Sequence, residues 1–123
     1  MSVANRYNGE KGKAWKSVKE WVRRTYTDCY TCGAKDLITY NAQAGHYLPV
    51  GLVGSNNTLS WDEHQIRLQC GRCNGAGQGE QVKFRVRLVK EYGEEFVKQL
   101  EQRQYKVDKV KDWKAVKRHF DEL

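Results

Sequence analysis

The chain is 123 residues long and sets 22 Lys and Arg against 15 Asp and Glu, a formal charge of +7 with an isoelectric point near 9.3. That length suits one domain, residues 1–123, whose core is modest enough that a metal staple would matter. No stretch approaches the ~20 consecutive apolar residues that cross a bilayer. The charge favours a polyanionic partner, nucleic acid first, although +7 by itself also serves solubility.

Met1 to Lys13 is polar, with no apolar run that could form the core of a secretory signal, so an intracellular protein is expected. Over residues 11–26, Ala14, Trp15, Val18, Trp21 and Val22 recur at helical spacing, with Lys13, Lys16, Lys19, Arg23 and Arg24 largely off that stripe. This predicts an amphipathic N-terminal helix that turns its tryptophans inward. Thr27 and Asp28 end it and lead into Cys29-Tyr-Thr-Cys32-Gly33, whose glycine permits a tight turn. Leu37 to Tyr40 is β-prone, and Ala44 to Leu48 is a second short strand carrying His46. Pro49 to Ser60, rich in Gly, Asn, Ser and Thr, reads as a mobile loop; strand character returns at Leu59 to Trp61 and Gln65 to Gln69.

Beyond Cys70, Cys73 and Asn74, the Gly75, Gly77 and Gly79 run lacks the Lys-Ser/Thr of a phosphate-binding loop and reads as a flexible connection. A helix follows with Val82, Val86, Val89, Leu88 and Tyr92, stopped by Gly93. One from Glu94 to about Arg103 buries Phe96, Val97 and Leu100, and a last one from about Asp108 buries Val110, Trp113, Val116 and Phe120. The organisation expected is the helix at 11–26, a metal-stapled core at 27–92 and basic C-terminal helices at 94–123.

Cys29/Cys32 and Cys70/Cys73 form two Cys-x-x-Cys knuckles. Each offers two thiolates, and four thiolates make the closed tetrahedral set that structural zinc prefers. Two disulfides would need an oxidising compartment, and a redox pair is the remaining alternative. Between the knuckles lie His46 and His64, and Asn74 directly follows the second. The order knuckle, strand with histidine, loop, strand, knuckle, asparagine, helix is that of an α+β treble-clef finger holding a ββα-metal site. In such a site the hairpin histidine takes a proton from water, while a divalent cation on the opposing helix polarises the phosphate. The plainer readings are a hydrogen-bonded histidine at His46, a surface residue at His64 and a helix cap at Asn74.

Cys29-Tyr-Thr-Cys32-Gly33, Ala44-Gly45-His46-Tyr47 and Gln69-Cys70-Gly-Arg-Cys73-Asn74 resemble the phage NinG/Rap recombination proteins and, more distantly, phage endonuclease VII, within the wider HNH group. The likeness runs from about Trp15 to Leu100. It implies a zinc-stapled, Mg²⁺- or Mn²⁺-dependent endonuclease cutting branched recombination intermediates such as Holliday junctions or D-loops, made by a phage or prophage in the bacterial cytoplasm. Carried across, His46 is the general base and Asn74 a ligand of the catalytic ion. Gln65, with His64 beside it, stands where the family usually has asparagine. The positions before His46 are Gln43, Ala44 and Gly45, where an acidic or histidine ligand is common. Asp62, Glu63 or His64 could complete the shell, or His46 could itself be a ligand with Tyr47 or a water relay taking the proton.

Lys83, Arg87 and Lys90 recur at helical spacing opposite Val82, Val86 and Val89, and the C-terminal stretch adds Lys109, Lys114 and Lys117; all six are candidates for DNA phosphate. Paired cuts at a four-way junction would require a homodimer. Phe96, Leu100, Trp113 and Phe120 would supply either its interface or intramolecular core. The rival functions are a non-catalytic zinc-finger DNA-binding protein and a phage assembly factor.

Overall fold

A computed structural model describes residues 7–123; residues 1–6, part of the polar Met1 to Lys13 stretch, lie outside the described residues. The architecture is α+β. Helix α1 (Gly9–Thr25) buries Ala14, Val18, Trp21 and Val22, as its spacing predicts, together with Ser17, while Trp15 of the same stripe is only half-buried. Strand β1 (Gln43–His46) pairs antiparallel with β2 (Ile66–Gln69), in the register Gln43 with Gln69, Ala44 with Leu68, Gly45 with Arg67 and His46 with Ile66. Two single helical turns flank this hairpin, α2 (Val50–Val53) in its connection and α3 (Gly71–Asn74) directly after β2. Helices α4 (Gln81–Tyr92), α5 (Glu94–Arg103) and α6 (Trp113–Glu122) complete the chain.

Two apolar cores lie against the hairpin. The first joins α1 and α6 to it through Val18, Trp21, Val22, Ile66, Leu68 and Phe120. The second gathers Tyr30, Tyr47, Leu48, Leu59, Phe84, Leu88, Val97 and Leu100 beneath α4 and α5. At roughly 1.5–3 kcal/mol for each large apolar side chain taken fully out of water, these two clusters hold the helices to the hairpin. Arg24 adds a polar tie, donating to the Phe120 carbonyl at 2.6 Å and so fastening the end of α6 to α1. Arg85 does the same for α4 and α5, meeting Glu101 at 2.8 Å and Glu94 at 2.8 Å.

Several expectations are corrected. Leu37 to Tyr40 is no strand: Thr39–Asn41 forms a 3₁₀ turn, with Thr39 at φ +51°. Leu59 to Trp61 is likewise a 3₁₀ turn, because the Asn57 side chain accepts from the Leu59 N–H at 3.0 Å and starts it. The Pro49 to Ser60 connection is tied down, by α2 and by a β-bridge between Asn57 and Lys109. The Gly75 to Gly79 run is a set of closed turns, with Gly77 N–H on Arg72 O at 2.7 Å and Gly79 N–H on Cys73 O at 2.8 Å. Helix α4 buries Phe84 and Leu88 and leaves Val82 81% and Val86 51% exposed, so its inward face is not the valine face. Helix α6 begins at Trp113, where the Asp112 carboxylate caps the Ala115 N–H at 3.1 Å, instead of near Asp108.

Candidate functional site

The two knuckles meet at one end of the hairpin. The first stands in the loop after α1, with Gly33 at φ +79° and its N–H on Cys29 O at 3.0 Å. The second caps α3, where Cys70 Sγ accepts from the Cys73 N–H at 3.4 Å. The matching contact in the first knuckle is Cys32 N–H to Cys29 Sγ at 3.5 Å. All four sulfurs lie within 4.8 Å of one another, and Cys32 Sγ is 3.7 Å from Cys70 Sγ. Tetrahedral bonds of about 2.3 Å separate neighbouring sulfurs by roughly 3.8 Å, so this spacing suits a zinc ion and is far too long for a disulfide. Burial pushes the Cys29 thiol up, but N–H donors from Cys70, Cys32 and Thr31 outweigh it and bring it down to about 6. Burial together with the neighbouring thiols pushes Cys73 up to about 12. A cation is what would let such a cluster ionise together.

Beside this cluster, His46 and Asn74 line one cavity of about 230 Å³, with Tyr7, Trp15, Gln78 and Gly79 among its walls. His46 Nε2 lies 2.7 Å from the Ser60 carbonyl oxygen. A carbonyl only accepts, so Nε2 carries the proton and Nδ1 holds the free lone pair of the neutral ring. The ring stacks on Trp15, centroids 5.8 Å apart and planes 19° apart, and Trp15 in turn stacks on Tyr7 at 5.5 Å. Burial lowers the imidazole to about 4, against the raising effect of the Ser60 bond. The ring is therefore neutral at pH 7, as a proton acceptor must be.

Asn74 ends α3 and does not begin the long helix; α4 starts only at Gln81. Its Nδ2 donates to Gln43 Oε1 at 2.9 Å, leaving Oδ1 without a hydrogen bond among the described residues. The carboxamides of Asn74 and Gln78 and the imidazole of His46 thus line the cavity, and no described residue of its lining carries a carboxylate. Without a carboxylate, a hard cation held there would have to keep most of its water and take its remaining ligands from a substrate phosphate.

The other candidates lie elsewhere. Gln65 is fully buried, accepting from Leu48 N–H at 2.7 Å and donating to Leu59 O at 2.6 Å, so it fixes the connection between the strands. His64 sits outside the cavity, its Nδ1 2.7 Å from Asp62 and its ring against Tyr92 and Phe96. Asp62 is taken by Arg103 at 2.5 Å and Glu63 by His119 at 2.9 Å, so neither completes an ion shell beside Asn74. The Tyr47 hydroxyl donates to Glu101 at 2.5 Å within the second core and is no proton relay for His46. Lys83, Arg87, Lys90, Lys109 and Lys114 are exposed. Arg87 rests over the Tyr30 ring at 4.8 Å, and Lys117 pairs with Asp121 at 2.6 Å. Lys83, Arg87 and Lys90 stand on α4 and Lys114 and Lys117 on α6, whereas Lys109 precedes α6 in the stretch bridged to Asn57. Leu100 and Phe120 are buried within the chain, and Phe96 and Trp113 pack against its cores, so these four are intramolecular.

Sequence reasoning missed Trp15 as a wall of the cavity. Its place beside Ala14 on the helical stripe reads as core, and only the hairpin's position over α1 turns it toward His46. The Ser60 carbonyl leaves no trace in side-chain identity at all.

Among the described residues, no helix is long and apolar enough to cross a membrane. A family model described as "Bacteriophage Lambda NinG protein" matches residues 4–122. "Protein ninG" of Escherichia phage 933W is 32% identical over 91 residues, 72% of this chain and 43% of that protein. "Protein ninG" of Escherichia phage lambda is 31% identical over 91 residues, 72% of this chain and 42% of that protein. The match thus spans less than half the length of these curated relatives, and no solved structure matches the chain. With knuckles, hairpin histidine and trailing asparagine in one matched stretch, the chain belongs to the NinG family of bacteriophage proteins.

Proposed function

We propose that this chain is a zinc-stapled, HNH-type endonuclease that hydrolyses phosphodiester bonds in branched DNA, such as the junctions and D-loops of phage recombination. The observation that carries this reading is the shared cavity: a neutral imidazole with its Nε2 proton already committed faces the same space as Asn74. Zinc on Cys29, Cys32, Cys70 and Cys73 would hold the first knuckle to α3 and so keep β1 and Asn74 in fixed relation, a treble-clef arrangement. His46 Nδ1 takes a proton from the attacking water. The Ser60 carbonyl steadies the imidazolium that results, and Trp15 keeps the ring in plane. Asn74 Oδ1 would hold Mg²⁺ or Mn²⁺, which when bound offsets charge on the phosphate and the leaving oxygen. Lys83, Arg87, Lys90, Lys109, Lys114 and Lys117 meet backbone phosphate, which recognises shape without reading sequence. Paired cuts would be made by a homodimer whose interface lies away from Phe96, Leu100, Trp113 and Phe120.

A nicking assay on branched and linear DNA with Mg²⁺ or Mn²⁺ tests this. The parent should cut, and His46→Ala and Asn74→Ala should each lose about 10²-fold or more in rate while still binding. The absence of a carboxylate from the cavity favours a second reading, a zinc-finger DNA-binding protein without catalysis. Binding without cutting by the parent under either ion would select it.

A further inference from the structure

Outside the cavity, the most unusual local feature is the turn from Ile38 to Asn41. Thr39 adopts φ +51°, a conformation that a β-branched residue avoids. The strain is held by its surroundings. Asn41 Oδ1 accepts from the Gly71 N–H at 2.8 Å, and the Tyr40 carbonyl accepts from Gln43 Nε2 at 2.8 Å. Gln43 Oε1 accepts in turn from Asn74 Nδ2 at 2.9 Å. Two hydrogen bonds therefore connect the Tyr40 backbone to the residue assigned to the catalytic ion.

What this rigid turn displays gives the fold nothing. Ile38 is 71% exposed and Tyr40 85% exposed, and the Tyr40 ring has no aromatic or cationic partner among the described residues. Two arginines border the turn. Arg23 donates through Nε to the Ala42 carbonyl at 3.0 Å, and Arg72 stands exposed on α3, whose first N–H is the one bound by Asn41. Among the described residues neither arginine pairs with a carboxylate. An exposed aromatic ring on a turn whose neighbouring elements carry two guanidinium groups that no carboxylate neutralises suits a polyanion with flat, stackable faces.

We infer that the Ile38 to Asn41 turn is a wedge: Tyr40 stacks on an unpaired base at a strand branch, while Arg23 and Arg72 meet the flanking phosphates, seating the adjoining phosphodiester at His46 and Asn74. This rests on the endonuclease reading and adds the element that selects branched DNA over continuous duplex. Tyr40 is a positioning residue here, remote from the bond that breaks.

The test uses the full, zinc-loaded chain carrying His46→Ala to prevent cutting, and a four-way junction with 2-aminopurine at the branch. Binding should quench the probe. Adding Tyr40→Ala should remove the quench and lower the preference for junction over linear duplex by about tenfold or more, leaving duplex affinity within about twofold; Tyr40→Trp should keep both properties. Zinc content and thermal melting of Tyr40→Ala should equal those of its background, since the ring is exposed. Unchanged quench and preference in Tyr40→Ala overturn the wedge, as does an equal loss on junction and duplex. A self-associated form abolished by Tyr40→Ala would assign the turn to a second copy and overturn it too. In each of these cases cutting by the parent leaves the endonuclease reading intact, whereas a parent that neither cuts nor binds DNA removes both.

Discussion

The two faces of the β1–β2 hairpin are both covered by helices and chemically opposite. Toward α1 the hairpin presents Ala44, Ile66 and Leu68, with His46 at the end of the row beneath Trp15. Toward α4 it presents Gly45, Arg67 and Gln69, the last two 2% and 0% exposed. The apolar face is held by area, which tolerates small changes of shape. The polar face is held by directed hydrogen bonds, although Arg67 Nε and Gln69 Oε1 are buried without one among the described residues. Arg67 donates to the Glu63 and Ile66 carbonyls at 2.8 and 2.9 Å, to Glu91 at 3.1 Å and to the Tyr92 hydroxyl, with Tyr26, Tyr30 and Tyr92 ringing its guanidinium. Gln69 donates to Thr31 in the first knuckle at 3.0 Å and to Gly79 O at 2.9 Å, so it joins the cysteine cluster to a wall of the cavity. The apolar face stabilises, and the polar face positions.

The largest way to break this contrast is to remove the metal. Cys73→Ser, or a strong chelator, should take bound zinc from about one ion per chain to none, a binding contribution on the order of 10 kcal/mol. The first core contains no cysteine. Amide hydrogen exchange should accordingly accelerate in residues 27–41 and 71–80 while α1 and α6 stay protected; uniform exchange across the chain would show that the two faces are not separable. Next, Phe120→Ala should cost about 3–5 kcal/mol in urea unfolding by leaving a cavity in the first core. Arg67→Ala should cost a similar 3–5 kcal/mol, because Glu91 and Tyr92 lose their partner, whereas Arg67→Met should recover much of it by filling the space without a charge. Equal losses for Ala and Met would mean that packing, and not pairing, governs the polar face.

Protonation sharpens the contrast on the other side. Burial depresses the folded-state pKa of His46 to about 4, below the ~6.5 of a free imidazole. As pH falls from 6.5 toward 4, the unfolded chain gains a proton that the folded chain refuses, so stability is lost across that window by up to about 3 kcal/mol. Above pH 7 the effect is absent. Urea midpoints of the parent and His46→Gln should diverge only in acid, and NMR titration near 6.5 for His46 would sink the stacked, buried description. The smallest effect is at Gly45, where an added Cβ would lie 1.8 Å from Gln69 Oε1. Gly45→Ala should cost about 1–3 kcal/mol, part of which Gln69→Ala should restore in the double variant.

What was legible in the sequence was local chemistry. Cys-x-x-Cys spacing fixes two thiolates on one knuckle whatever surrounds it, and the stripe of α1 has one apolar side to choose. The α4 segment has two: Val82 and Val86, and Phe84 and Leu88, both stand four residues apart, and only the second core decides which pair is covered. Leu59 to Trp61 has strand-like residues, but Asn57 and Asp62 supply side-chain acceptors that turn the backbone at each end. The cavity was half legible. His46 and Asn74 follow from their positions beside strand and knuckle, while the Trp15 wall, the Ser60 carbonyl and the Gln43 link to Asn74 depend on how distant segments meet.

The face-to-face packing of Trp15 and His46 gives the molecule an optical reporter of its own. Indole emission is quenched by a protonated imidazole in contact with it and responds to whatever displaces solvent at its edge. Tryptophan fluorescence, followed against acid and then against added oligonucleotide and compared with Trp15→Phe to subtract the other three tryptophans, would read the charge of His46 and the filling of its cavity without any label.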